Sequence, residues 1–206
     1  AGFDVVTFKG NGTAGKVIPH SLNAVPEMMW VKNRSQTRNW GVYHTGLNGG
    51  TTPQDYAILL NLANSEFNDV GMWNDTAPTS TAFTLGSYPE VNGNNHDMIA
   101  MLFASVNGIS KVGYYDGTGS NQTLNFGFTP RLIIIKQYDS NSRNWFVFDT
   151  LRGIGNSDDP PLYLNASQGQ VTGDDYLIPA SNGITLKGNF TQGNENGGKY
   201  IYYAHA

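Results

Sequence analysis

Cysteine is absent from the 206-residue chain, which removes thiolate catalysis, disulfide frameworks and cysteine-based zinc sites together. Charge is scarce too. Charged residues make up 14% of the chain, against about 25% in an average domain. Lys+Arg number 12 and Asp+Glu 16, with no basic run. That balance lacks the electrostatic footprint of a non-specific nucleic-acid binder, so nucleic acid is not an expected partner. No apolar stretch approaches ~18 residues, and no membrane partner is expected. Residues 1–13 have neither the charged start nor the apolar middle of a signal peptide.

Turn formers take the place of the missing charge: 25 glycines and 9 prolines, with many asparagines, accompany 39% hydrophobic residues. This is enough apolar material for one large core or two small ones. The chain also repeats itself. Gly10-Asn-Gly12 returns as Gly117-Thr-Gly119, and Pro26-Glu-Met-Met-Trp-Val-Lys32 as Pro130-Arg-Leu-Ile-Ile-Ile-Lys136. Arg38-Asn-Trp-Gly-Val-Tyr43 returns as Arg143-Asn-Trp-Phe-Val-Phe148. Leu59-Leu-Asn61 then answers Tyr163-Leu-Asn165, and Phe83-Thr-Leu85 answers Ile184-Thr-Leu186. Ordered self-similarity of this kind means duplication. We read a first half over residues 1–104, a short joint over 105–110 and a second half over 111–206.

Within each half, short apolar or alternating runs lie between Gly, Asn, Pro and Ser clusters, the pattern of an antiparallel sandwich. The first half has them at Asp4–Phe8, Met28–Val31, Trp40–Tyr43, Phe83–Leu85 and Ile99–Phe103. The second has them at Val112–Tyr115, Leu132–Ile135, Trp145–Phe148, Leu162–Leu164, Ile184–Leu186 and Tyr200–Tyr203. Tyr56 to Ser65 also fits two helical turns, but Pro160-Pro161 in its counterpart favours a strand or loop. The expected fold is all-β: two tandem homologous antiparallel β-sandwich halves, jelly-roll-like.

Gly10-Asn-Gly-Thr-Ala-Gly15-Lys16 imitates a phosphate-binding loop. Such a loop must open a helix, whereas Val17-Ile18-Pro19 is β-branched and then broken, and the second copy lacks Gly15 and Lys16. A hairpin turn needing positive φ accounts for both copies. His20, His44, His96 and His205 form no metal or nucleophile motif, and Asp149 replaces His44 in the second half. The pairs Asp158-Asp159 and Asp174-Asp175 read as loop or cap residues. Asp139–Ser142, Asn156–Asp159 and Asn74-Asp75 carry oxygen ligands but no EF-hand spacing, so turn capping is the reading. No catalytic residue, cofactor or metal is expected, and the chain is read as a non-enzyme.

Sugar recognition uses aromatic faces beside amides and carboxylates, and the chain is 12% aromatic. Trp40 and Trp145 recur with Val42 and Val147 two residues on, which places them in the packing. Trp73 has no counterpart and lies in the polar run Gly71-Met-Trp-Asn-Asp-Thr76, where an exposed ring is free to stack on a ligand. Trp73, Asn74 and Asp75, with Tyr43 and His44, are therefore the candidate ligand-binding residues. Tyr88 and Tyr138 rank behind them.

Taken in order, Phe3–Thr13, Pro26–Asn33, Trp40–His44, Trp73–Thr81, Phe83–Gly86 and the junction Phe103–Gly119 resemble one family along essentially the whole chain. It is a domain of unknown function found in virion proteins of marine tailed phages, especially those infecting cyanobacteria. Ser167 to Asp175 departs from the first-half pattern around Trp73. The resemblance implies a structural protein at the virion surface, assembled in the host cytoplasm and carried on the extracellular particle. Its expected partners are other virion proteins and a host surface glycan or protein, and it is expected to be a homo-oligomer. A tail fibre or receptor-binding segment is the first expectation. A capsid decoration protein, and a carbohydrate-active enzyme or its binding module, are the alternatives.

Overall fold

The structure is a computed structural model, and it describes residues 2–155 and 157–206. It is all-β, with four antiparallel sheets. The chain divides into two compact units: the N-terminal segment up to Asn61 with Glu66–Ser105, and Leu62–Ser65 with Val106–Ala206. Among the described residues, no helix is long and apolar enough to cross a membrane.

The first unit holds β1 (Phe3–Lys9), β2 (Lys16–Pro19), β3 (Met28–Asn33), β4 (Trp40–His44), β5 (Tyr56–Leu59), β6 (Phe67–Asn68), β7 (Ala82–Leu85) and β8 (Asp97–Phe103). Two single-turn helices, α1 (Val70–Trp73) and α2 (Pro89–Asn92), sit among them. A six-stranded sheet runs β1-β8-β3-β4-β5-β6, and β2 pairs with β7 in a second sheet. Met29 and Val31 of β3 meet Met98, Ala100 and Leu102 of β8, Ile18 of β2, and Phe83 and Leu85 of β7 in one buried cluster. These residues alternate along their strands, as a sheet buried against a partner requires.

The second unit repeats the order with β9 (Ser110–Asp116), β10 (Gln122–Asn125), β11 (Leu132–Gln137), β12 (Trp145–Asp149), β13 (Leu162–Tyr163), β14 (Leu177–Ala180), β15 (Gly183–Leu186) and β16 (Lys199–His205). Its large sheet runs β13-β12-β11-β16-β9, and its small one β10-β15-β14. Register repeats as well. Lys9 is paired with Asp97 across β1 and β8, and Asp116 with Lys199 across β9 and β16. The ion pair survives with its signs exchanged, at 3.0 Å in the first unit and 3.4 Å in the second.

One expectation changes here. β1 and β2 lie in different sheets, so the Gly10-Asn-Gly12 turn is not a hairpin but a crossing between sheets. The positive φ is real, at +65° for Gly12 and +67° for Gly119. Within the joint Val106 bridges Ser110, with Gly108 at φ +73°. The ambiguous segment after Tyr56 begins as strand β5.

Candidate functional site

The candidate ligand residues do not assemble into a surface. Trp73 is 1% exposed, and its indole N–H donates to the Tyr56 carbonyl at 3.0 Å. The polar residues around it are caps. Asp69 accepts from the Gly71 N–H at 2.8 Å to start α1, and Asn74 ends the helix in the left-handed region at φ 56°. Gly71, Met72 and Trp73 are thereby turned inward. Tyr43 is 3% exposed, its ring meets Trp73 edge-on at 6.1 Å, and burial pushes its hydroxyl up to about 12. Asp75 is exposed and Asn74 half-buried, with the Asn74 amide donating to the Thr76 hydroxyl.

The second unit explains why Trp73 has no counterpart. Gly41 of β4 aligns with Phe146 of β12, and Phe146 packs in the second core against Phe148 and Phe190. A Cβ on Gly41 falls 2.8 Å from both Met72 and Val91 and 3.7 Å from the Trp73 ring. Trp73 and Met72 thus fill, from a helix, volume that a strand phenylalanine fills in the other half. Tyr88 takes the turn position of Phe190 but lies outside, 39% exposed, with its hydroxyl donating to Asp69 at 2.6 Å. Tyr138 is 1% exposed.

His44 is buried, and its Nδ1 accepts from the Gly46 N–H at 2.9 Å. Asp149, at the same place in the second half, accepts from the Arg152 N–H at 3.0 Å. Both side chains brace the turn after the fourth strand of their unit. For that bond an imidazole nitrogen and a carboxylate oxygen serve alike, since each supplies an acceptor.

Repeated polar residues elsewhere are braces as well. Asn92 is fully buried; its amide donates to the carbonyls of Thr13 and Gly86, and its Oδ1 accepts from the Asn11 N–H. Asn194 repeats this with Ser120, Lys187 and Thr118. Asn61 and Asn165 accept from the N–H of Trp40 and Trp145, at 2.9 and 2.7 Å. The loop aspartates, read from the sequence as turn caps, act likewise. Asp159 is buried and accepts from the N–H groups of Tyr176 and Leu177, while burial pushes its carboxyl upward. Asp158 holds the Gly173 N–H, and Asp139 accepts from the Gln137 amide. Asn156 lies outside the described residues. Among the described residues, no three metal-ligating side chains converge.

What remains open is a groove of about 650 Å³ on the first unit, lined by Lys32–Thr37, Trp40, Ile99 and Met101. Trp40 was expected in the core, but Tyr43 and the space at Gly41 face the core cluster, so Trp40 and Val42 point to the opposite face of the sheet. Val42 is buried there and Trp40 half-exposed. The Lys32 ammonium stands 5.8 Å from the Trp40 ring and donates to the Arg38 carbonyl. The rim is Arg34, Ser35, Gln36 and Thr37, all exposed. An aromatic ring, two cations, an amide and hydroxyls thus share one open hollow, chemistry suited to a polar partner. The matching positions of the second unit are closed: Lys136 is 0%, Trp145 2% and Ile201 1% exposed. There the Lys136 ammonium donates to the Arg143 carbonyl at 2.6 Å, and burial lowers its pKa to about 8.

The repeat, which matched Trp40 to Trp145, hid this difference because it reports ancestry and not exposure. A signal was present in Asn33-Arg-Ser-Gln-Thr-Arg38, a polar run beside a tryptophan. A second hollow, of about 300 Å³, lies among Asn39, Leu59, Phe67, Met72, Tyr88, Pro89 and Glu90. No curated protein and no solved structure matches the chain. One family model matches residues 1–206, and the chain belongs to that family, described as Domain of unknown function (DUF7483).

Proposed function

We propose that the chain is a structural protein of a phage virion, displayed at the particle surface as a tail-fibre or receptor-binding segment, with the Trp40 groove as its contact surface. The observation that carries the reading is the division of labour among polar residues. Those shared by the two halves, such as Asn92 with Asn194 and Asn61 with Asn165, are committed to backbone groups. The groove is an unshared opening, and its lining offers contact chemistry in an aromatic ring, cations and an amide. The ordered motifs from Phe3 to Gly119 supply the virion context. Gold-labelled antibody against the chain, applied to purified particles of the source phage, tests the proposal. Label at the tail supports it, label over the head moves the protein to capsid decoration, and particles without the protein overturn it.

A further inference from the structure

The groove has a closed counterpart, and the second unit shows what docks beside it. Leu62–Ser65, which follows β5 in the chain, belongs to the second unit. Its Ala63 carbonyl accepts from the Arg143 N–H at 3.0 Å, and the Ser65 N–H and hydroxyl donate to Asn141 Oδ1 at 3.0 and 3.3 Å. Both contacts fall on the loop between β11 and β12, the equivalent of the groove rim.

Rim loop and strap each have a second copy, in which the polar side chains make only local bonds: the Arg38 guanidinium to Gln36 Oε1 at 3.5 Å, and Gln168 to Tyr163. On the first unit, Arg38 stands for Arg143 and Gln36 for Asn141, both exposed. The Arg38 N–H has no acceptor among the described residues. The rim loop is one residue shorter, six positions from Lys32 to Arg38 against seven from Lys136 to Arg143. In both copies the lysine ammonium holds the arginine carbonyl, which anchors the loop at the same point. On the second unit, Asn165 stands for Asn61, so Ala166–Gly169 stands for Leu62–Ser65. Ser167, Gln168 and Gly169 are exposed.

We infer that the groove receives a second copy of this chain, with Ala166–Gly169 of one molecule docking on Gln36–Trp40 of the next. The Ser167 carbonyl accepts from the Arg38 N–H, and the Gly169 N–H donates to Gln36 Oε1. Donor and acceptor patches lie at different places on one chain, so the contact is head-to-tail and gives rings or filaments rather than a two-fold dimer. The inference rests on the groove being the contact surface, as proposed above, and not on the particle.

A chain without cysteine suits a cross-linking test. The full-length pair Gln36→Cys with Gly169→Cys, mildly oxidised, is expected to give a ladder of disulfide-linked multimers on a non-reducing gel. Each single variant stops at the dimer. Ser65→Cys with Asn141→Cys closes within one molecule and runs at the monomer mass. Monomer only from the first pair, or an equal ladder from a mismatched pair such as Gln36→Cys with Thr13→Cys, overturns the inference. Independently, sedimentation of the unmodified chain is expected to show concentration-dependent association, and Arg38→Pro to raise the concentration needed at least tenfold with circular dichroism unchanged; no association at any concentration overturns the inference. A glycan that binds a strictly monomeric chain and is lost with Trp40→Ala overturns self-docking and leaves the virion reading standing. A ladder from a protein absent from particles does the reverse.

Discussion

At the scale of single residues, the tryptophans reverse what their sequence surroundings suggest: the unmatched Trp73 is buried, and of the matched pair only Trp145 is. Trp73 and Trp145 are at most 2% exposed, so Trp73→Ala and Trp145→Ala should each lower unfolding free energy in urea by about 3–5 kcal/mol. Trp40 lines an open groove, and Trp40→Ala should cost no more than about 1.5 kcal/mol. Burial of Trp73 was illegible locally, because Asp69 and Asn74 look like loop residues until they are seen capping a turn. The clue was its missing counterpart together with glycine at position 41, where the other half has phenylalanine. Lys136 gives a pH test. Its pKa falls from 10.5 to about 8 on folding, so between those values the unfolded chain binds more protons and stability rises with pH. The gain is present above the unfolded value and lost as pH falls through the folded one, and it amounts to at most about 3 kcal/mol. Tyr43, Tyr176 and Tyr200, raised to about 12, act oppositely and reduce stability from pH 10 upward. Urea melts should therefore show stability climbing from pH 8 to 10 and then falling, with the climb absent in Lys136→Met.

At the scale of elements, the crossings between sheets depend on close backbone approach and on one amide each. A Cβ at Gly10 falls 2.2 Å from the Gly93 carbonyl oxygen, and one at Gly117 falls 2.2 Å from that of Glu195. Backbone atoms cannot yield as a side-chain tip does, so Gly10→Ala and Gly117→Ala should each lower stability by more than about 2 kcal/mol. Asn92→Ala and Asn194→Ala leave several buried peptide groups unpaired, and a loss of about 3 kcal/mol is expected in each case. A thermal midpoint shift of under about 2 °C for the asparagine variants would remove them as braces. The strands themselves were legible, since alternation and turn clusters mark most of them. The crossing was not, because a Gly-x-Gly turn looks the same whether the next strand pairs with its predecessor or leaves for another sheet.

At the scale of the molecule, each half has its own core: Met29, Trp73 and Phe83 belong to one cluster, and Phe146, Phe190 and Tyr200 to the other. Trp73→Ala and Phe190→Ala touch different clusters, so in a double variant their destabilisations should add within about 0.5 kcal/mol by chemical denaturation. A larger discrepancy would mean that the two cores respond as one. Duplication, all-β class and most strand positions, though not β2, β6, β10 or β14, were decided by composition and repetition, because alternation of side chains and turn chemistry are local properties. Which tryptophan is buried, which lysine loses water and which copy of a shared surface stays open were decided only in three dimensions. Exposure depends on what packs from distant parts of the chain, and two segments of the same ancestry record it only in scattered substitutions, such as Gly41 for Phe146, that take their meaning once the neighbours are in place.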